Sequence, residues 1–231
     1  PNLVVAVVVA AAPAALSFSM SAIDVTCNGA NNGSASAVLV GVPPFTYLWS
    51  NGDTTQTILS LSPGSYSVSV MDSNGCSLSG SILITEPGLL IIDSAVVNNT
   101  VCFGGNTGSI NISVSGGTPL YSYLWSNGDT LEDISSLTAG LYSISVTDLN
   151  QCSSTSYSYT ITEPTQMQNI PVVTSILCFG GNNGSIDLSI SGGMPSYSYL
   201  WSNGEITEDI SNLTGGIYSV IITDSSSCIL Y

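Results

Sequence analysis

The chain has 231 residues, with 15 acidic side chains and no Lys, Arg or His, so its formal net charge is −15. Without basic side chains nothing neutralises phosphates, which argues against nucleic-acid binding. No histidine base, lysine nucleophile or arginine clamp is available either, so we expect a chain that is not an enzyme.

The remaining composition indicates an all-β protein. Only 6% of residues are charged, and Ser, Thr and Asn are abundant beside regularly recurring Val, Ile and Tyr. β-branched and aromatic residues suit half-buried strands. Residues 3–15 are rich in Val and Ala but are interrupted by Pro13. That stretch is too short to cross a bilayer comfortably, so we expect no membrane insertion.

Internal repetition is the strongest signal in the chain. Trp49, Trp125 and Trp201 are 76 residues apart. Two series of cysteines keep nearly the same period: a leading series, Cys27, Cys102 and Cys178, and a trailing series, Cys76, Cys152 and Cys228. The sequence therefore predicts three copies of one unit.

The second copy shows the predicted strands most clearly. They alternate apolar and polar residues, as half-buried strands do. In chain order the strand segments are 89–97, 110–114, 121–125, 131–137, 142–146 and 157–161. Asn127-Gly128 predicts a tight turn after the third of them, because both residues tolerate positive φ. The aromatic residues Tyr121, Tyr123 and Trp125 could form a sugar-binding strip, but their alternation favours a core face.

A motif Leu-x-x-Gly-x-Tyr ends in Tyr66, Tyr142 and Tyr218. It resembles the tyrosine corner of immunoglobulin-like sandwiches, in which the hydroxyl bonds to upstream backbone. We therefore expect a tandem array of three small immunoglobulin-like β-sandwich repeats.

The six cysteines predict disulfides and an oxidising compartment, because a repeat of this size has a small core. Six cysteines allow 15 pairings. The periodicity favours one disulfide within each repeat, namely Cys27–Cys76, Cys102–Cys152 and Cys178–Cys228. A strand count that places the two loops of a repeat at one end is consistent with this pairing. Zinc is disfavoured, since there is no Cys-x-x-Cys spacing and no histidine.

Acidic residues are the remaining candidates for chemistry. Asp72, Asp148 and Asp224 occupy equivalent positions, and oxygen-rich loops there are weak candidates for Ca²⁺. We favour a carboxylate that hydrogen-bonds its own loop, and therefore no cofactor. A second group, Asp129, Glu132 and Asp133, has no matching acidic set in the first copy.

The ordered motifs Cys-x-Gly-x-x-x-Gly-Ser, Gly-Gly-x-Pro-x-Tyr-x-Tyr-x-Trp-Ser-Asn-Gly and Ile-Thr-Glu-Pro resemble the SprB-type repeat, with a more distant resemblance to PKD domains. The family resemblance implies large surface adhesins of Bacteroidota, including gliding-motility adhesins exported by type IX secretion. It implies an extracellular, adhesive or spacer role and carries no catalytic residues.

The motifs predict boundaries at residues 14–87, 88–164 and 165–231, with the last repeat lacking its final strand. Residues 1–13 would be the closing strand of a preceding repeat, or a strand donated to a neighbouring copy. If the lineage holds, Asp-Ser/Thr-aliphatic motifs make Ser94 and Thr130 candidate O-glycosylation sites.

The expected function is a structural and adhesive stalk or extracellular filament. Its partners would be itself or further repeats, end to end, and surface polysaccharide. The alternative is a calcium- or glycan-binding accessory module of a larger secreted protein.

Overall fold

The computed structural model describes residues 15–231 as strands, turns and loops. One compact unit holds the described residues up to Ile91 together with Ser115–Tyr121 and Thr147–Ser154. A second unit holds Ile92–Val114, Ser122–Val146 and Thr155–Tyr231. The strand expected within residues 1–13 lies outside the described residues. Between residues 15 and 231 no apolar helix is long enough to cross a membrane.

Within residues 15–231 the strands follow one another in three sets of six. The first set is β1 (Ser17–Ile23), β2 (Gly33–Val40), β3 (Thr46–Trp49), β4 (Thr57–Leu61), β5 (Gly64–Met71) and β6 (Ser77–Ile84). The second set is β7 (Ile91–Asn98), β8 (Gly108–Ser115), β9 (Ser122–Trp125), β10 (Ile134–Leu137), β11 (Gly140–Thr147) and β12 (Tyr157–Ile161). The third set is β13 (Gln168–Thr174), β14 (Gly184–Ser191), β15 (Ser198–Trp201), β16 (Ile210–Leu213), β17 (Val220–Thr223) and β18 (Ile229–Leu230). Each segment predicted in the second copy contains or overlaps an observed strand.

Each set forms two three-stranded sheets. One sheet of each set has the order β1-β2-β4, β7-β8-β10 or β13-β14-β16, and the other has the order β3-β5-β6, β9-β11-β12 or β15-β17-β18. In the first and third sets every neighbouring pair is antiparallel. The last strand of the third set, β18, has two residues, whereas the last strands of the first and second sets, β6 and β12, have eight and five.

Apolar side chains at alternate strand positions fill the space between the two sheets of a set. In the first set Ala35, Ala37 and Ile58 from one sheet pack with Trp49 and Val68 from the other. The third set is built alike, with Ile186 and Ile210 packed against Trp201 and Ile222. These contacts make each of the two sets a β-sandwich, as the alternation predicted.

The recurring tryptophans belong to the core. Trp49, Trp125 and Trp201 are between 1% and 4% exposed. Each indole N–H donates to the backbone oxygen six residues further on, in Thr55, Leu131 and Thr207, at 2.8 to 2.9 Å. The buried donor is therefore satisfied inside the repeat itself.

The tyrosine corner is confirmed in all three copies. The hydroxyl groups of Tyr66, Tyr142 and Tyr218 donate to the backbone oxygen four residues upstream, at 3.0 to 3.1 Å. The preceding strand bulges, since Ser60, Ser136 and Asn212 have φ values of 56°, 58° and 59°. The bulge and the tyrosine together turn the chain from one sheet to the other.

Two consecutive strands of the first set run in the same direction. β3 pairs along one half of β5, with Trp49 opposite Val68, and β4 pairs along one half of β2, with Leu61 opposite Gly33. The ends of β1 and β6 lie side by side, because Val25 N–H donates to Thr85 O (3.0 Å). Since all neighbouring strands of this set are antiparallel, β3 and β4 run in the same direction, one after the other. Together they cross the sandwich once from end to end, with β3 in one sheet and β4 in the other. This single crossing determines where the cysteines lie.

Candidate functional site

The leading cysteines lie in one recurring loop. Cys27 follows β1, Cys102 follows β7 and Cys178 follows β13. In each loop the N–H of the third residue after the cysteine donates to the cysteine's carbonyl, at 2.9 to 3.1 Å. The second residue after the cysteine is a glycine with φ of +66° to +74°, a conformation that other residues rarely adopt. The Cys-x-Gly motif is therefore a requirement of the loop backbone.

The trailing cysteines lie in a turn that a buried aspartate organises. The Oδ1 atom of Asp148 accepts hydrogen bonds from Asn150 N–H and Cys152 N–H, both at 2.9 Å. Asp72 and Asp224 make the same two bonds in their own turns. All three side chains are buried. Each of these aspartates therefore accepts hydrogen bonds from its own loop.

The turn is also tied to a second loop of its repeat. The Oδ2 atom of Asp148 accepts from Thr118 N–H (2.7 Å), and that of Asp224 accepts from Met194 N–H (2.9 Å). Burial raises the pKa of Asp224, but the three N–H donors of Met194, Cys228 and Ser226 outweigh burial. The net pKa of Asp224 lies below its ordinary value, so the buried group is a charged acceptor.

Two disulfides join the leading loop of one strand set to the trailing turn of the next set. Cys27 is bonded to Cys152, with Cα atoms 5.7 Å apart, and Cys102 is bonded to Cys228, with Cα atoms 5.6 Å apart. The two bonds alternate along the chain, because Cys102 lies between Cys27 and Cys152. Closing a loop of this length stabilises the fold by about 5 kcal/mol in the chain-entropy model.

The predicted pairing within each repeat is therefore wrong. The loop of Cys27 lies beside the end of β6, whereas Cys76 directly precedes its first residue, Ser77. Eight strand residues span about 26 Å, and a disulfide requires Cα atoms within about 7 Å. The strand count was wrong because it took β3 and β4 as two crossings of the sandwich. They form a single crossing, so Cys27 and Cys76 lie at opposite ends. Cys76 and Cys178 are free and exposed.

The Glu-Pro segment after each closing strand completes the arrangement around the disulfide. Glu86 Oε2 accepts from Gly29 N–H, and Glu163 Oε2 accepts from Gly104 N–H, both at 2.6 Å. The carboxylate thereby holds the leading loop in place. The recurring Ile-Thr-Glu-Pro motif thus supports the cysteine loop as well as ending the repeat.

The Gly-Gly-x-Pro motif meets the same segment. Gly117 N–H donates to Gly88 O, and Gly193 N–H donates to Thr165 O, both at 2.7 Å. A Cβ atom on Gly116 would overlap Leu89 O, so the preceding glycine is needed for close backbone approach. We call each such assembly a junction. The first junction comprises the Cys27 loop, Glu86–Leu90, Gly116–Thr118 and Asp148–Cys152. The second comprises the Cys102 loop, Glu163–Met167, Gly192–Met194 and Asp224–Cys228.

The first junction carries one further polar contact. Asn150 Nδ2 donates to Thr26 O (3.1 Å), directly before Cys27, and to Thr118 Oγ1 (2.9 Å). Asn150 therefore ties the trailing turn of one set to the leading loop of the other. Together with the disulfide, these contacts join the leading loop of the first set to the trailing turn of the second.

The other predicted sites are distributed over the surface. Ser94 on β7 and Thr130 before β10 are exposed, and their glycosylation stays a prediction. Asp133 Oδ1 accepts from Ile112 N–H (2.9 Å), so part of the second acidic group supports a strand edge. Within residues 15–231 no three His, Cys, Asp or Glu side chains cluster as metal ligands would. That Asp72, Asp148 and Asp224 hold no Ca²⁺ stays a prediction.

The SprB repeat family matches residues 21–54, 94–130 and 170–206. The chain matches the SprB repeat three times. Each SprB match begins in the first strand of a set and reaches the turn after its tryptophan strand, so it includes the leading cysteine loop and the Gly/Pro turn. No curated protein sequence matches the chain.

Several solved structures are similar to long stretches of this chain. One is the C-terminal fragment of intimin in complex with the intimin-binding domain of the translocated intimin receptor, at 17% identity, covering 68% of this chain and 67% of that chain, with a TM-score of 0.36. A second is the eight N-terminal Ig domains of Down syndrome cell adhesion molecule, at 16% identity, covering 92% and 33%, with a TM-score of 0.33. A third is extracellular domains 3–5 of Drosophila OTK, at 10% identity, covering 87% and 90%, with a TM-score of 0.26.

Proposed function

We propose that this chain is the structural and adhesive repeat region of a secreted cell-surface protein, in which it forms a stalk or extracellular filament. The alternating pair of disulfides is the observation that carries the proposal. A disulfide that ties each repeat to its successor keeps the junction closed under tension, which a stalk needs and an isolated binding module does not. The three SprB matches support the same role.

The composition fits an exposed position outside the cell. Disulfides persist in oxidising compartments, where thiol reductants are scarce. The chain has no Lys or Arg, so trypsin-like proteases have no cleavage site. We also propose that the protein lies on the surface of Bacteroidota and is exported by type IX secretion, as the resemblance to the SprB-type repeat implies. The partners would be further repeats and surface polysaccharide.

Immunogold electron microscopy on cells that make the full protein tests this function. Antibody raised against the chain should label thin filaments or stalks on intact, unpermeabilised cells. Cells lacking the gene are the control for antibody specificity. Label that appears only after permeabilisation, or only on dispersed protein in the medium, would overturn the proposal. Binding of the isolated chain on a glycan array would favour the accessory module.

A further inference from the structure

The two free cysteines occupy the two kinds of position that are disulfide-bonded at the junctions. Cys178 belongs to the leading series and Cys76 to the trailing series. Both bonded pairs join a leading cysteine to the trailing cysteine of the next strand set. By the same rule Cys178 requires the trailing cysteine of another repeat, and Cys76 requires the leading cysteine of another repeat.

The loop of Cys178 already has the geometry of the bonded loops. Gly181 N–H donates to Cys178 O (2.9 Å), and Gly180 has a φ of +74°, as in the loops of Cys27 and Cys102. Leu177 N–H donates to Asn183 Oδ1 (3.3 Å), in the place where Thr26 N–H donates to Asn32 Oδ1 (3.1 Å). The loop of Cys178 thus shares its backbone turn with the bonded loops.

The turn of Cys76 also has the geometry of the bonded turns. Cys76 N–H donates to Asp72 Oδ1 (3.0 Å), and Asp72 N–H donates to Cys76 O (3.0 Å), as in the turns of Cys152 and Cys228. Asn74 occupies the position of Asn150, which contacts the carbonyl before Cys27. The turn of Cys76 therefore carries a cysteine and an asparagine at the positions of Cys152 and Asn150, which contact the leading loop in the first junction.

The surroundings of Cys178 are those of an uncovered junction. Phe103, which follows the bonded Cys102, is 50% exposed and lines a groove with Pro164 and Cys228. Phe179, which follows the free Cys178, is 109% exposed, and Leu177 before it is 84% exposed. A neighbouring repeat seated on this loop would cover both apolar side chains, as the third set covers part of Phe103.

We infer that Cys178 forms a disulfide with the Cys76-type cysteine of a neighbouring SprB repeat, so that copies of this chain join head to tail through a Cys178–Cys76 bond. The oxidant would be a small disulfide such as oxidised glutathione. The Cys178 thiolate attacks its sulfur and releases one glutathione thiolate, and the Cys76 thiolate of the other copy then displaces the second glutathione. Two protein thiols thus lose two protons and two electrons, and one oxidised glutathione becomes two reduced molecules. The inference concerns thiol chemistry alone and does not require the proposed location on a cell surface.

Single variants of the whole chain test this pairing. Each of Cys76→Ser and Cys178→Ser removes one exposed thiol and leaves both observed disulfides in place. The wild-type chain, oxidised in a glutathione redox buffer, should give a ladder in steps of its 23.7 kDa mass on a non-reducing denaturing gel. Either variant alone should remain monomeric, and an equal mixture of the two should give a dimer that disappears on reduction. The double variant is the matched control and should give no product.

Several outcomes would overturn the inference. Homodimers from either single variant would show random thiol oxidation. Wild-type monomers that keep two titratable thiols would show that the bond does not form. Monomers that lose both thiols, either to a bond within one chain or to glutathione adducts that no second copy displaces, would also refute the inference. Peptide mapping of the mixed dimer must also find Cys76 joined to Cys178, and any other pair refutes the assignment.

Discussion

Single-molecule stretching distinguishes the observed disulfide pairing from pairing within repeats. The variant to stretch is Cys76→Ser/Cys178→Ser, which removes both free thiols. The observed pairing loses no disulfide in this variant. Pairing within repeats would lose two of three bonds and keep only Cys102–Cys152.

The expected length follows from the shortest covalent path between the chain ends. With the observed pairing this path runs to Cys27, crosses to Cys152, returns along the chain to Cys102 and crosses to Cys228. It contains about 80 residues, or roughly 280 Å at about 3.5 Å per extended residue. With only Cys102–Cys152 the path contains about 180 residues, or roughly 630 Å. The double variant is essential, because in the wild type both schemes leave a path of about 80 residues.

The assay is force spectroscopy with handles attached at both chain ends. Full extension of the oxidised double variant should stop near 280 Å, and a reductant should then release the chain to roughly 800 Å, the length of about 230 extended residues. The reduced sample is the internal control for the handles. Extension of the oxidised variant to about 630 Å would refute the junction disulfides.

Four further predictions concern the repeat itself. Asp148→Asn should lower the free energy of unfolding by about 1–3 kcal/mol, because charge-assisted bonds to backbone N–H groups are lost; urea denaturation checks this, with the exposed Asp187→Asn as control. Tyr142→Phe should cost about 1 kcal/mol in the same assay, because one hydrogen bond to the Thr138 carbonyl is lost. N–H donors hold the pKa of Asp224 below its unfolded value of about 3.9. The ionised Asp224 side chain therefore stabilises the fold above about pH 3.9, and this stabilisation is lost as the pH falls through the folded pKa. Melting curves should therefore show Asp224→Asn losing less stability on acidification than the wild type, and equal losses would contradict this. Adding Ca²⁺ should leave the melting temperature unchanged, since the Asp148 oxygens already accept three N–H bonds; a rise that chelator reverses would establish a calcium site.

Strand positions could be predicted from the sequence because each depends on local pattern. Ile110 and Ile112 are buried while Asn111 and Ser113, which follow them in turn, are exposed, as the alternation requires. The tyrosine corner was equally accessible, since its hydroxyl bonds to a carbonyl only four residues away. Local contacts of this kind leave a mark in a single sequence.

The disulfide partners could not be predicted, because the period does not determine them. Cys27 is a leading cysteine, and both Cys76 and Cys152 are trailing cysteines. The two possible partners lie one repeat apart in the sequence, so the period fits either bond. The choice depends on which end of the sandwich each cysteine occupies. That depends on the change of sheet between Trp49 and Thr57, where the sequence shows only an ordinary turn.

The roles of the recurring motifs could be seen only in the fold. Glu86 and Glu163 belong to the Ile-Thr-Glu-Pro motif, and each carboxylate accepts a hydrogen bond from a loop that lies 57 or 59 residues away. Contacts over such separations leave no local pattern. The junction was therefore missed, although every residue in it belongs to a motif that the sequence displays.

Disulfide mapping tests the junction most directly. The protein should be alkylated at its free thiols, digested without reduction by a protease that cleaves at acidic residues, and analysed by mass spectrometry. Linked peptides containing Cys27 with Cys152 and Cys102 with Cys228 are the predicted result. Peptides joining Cys27 to Cys76, or Cys102 to Cys152, would contradict it.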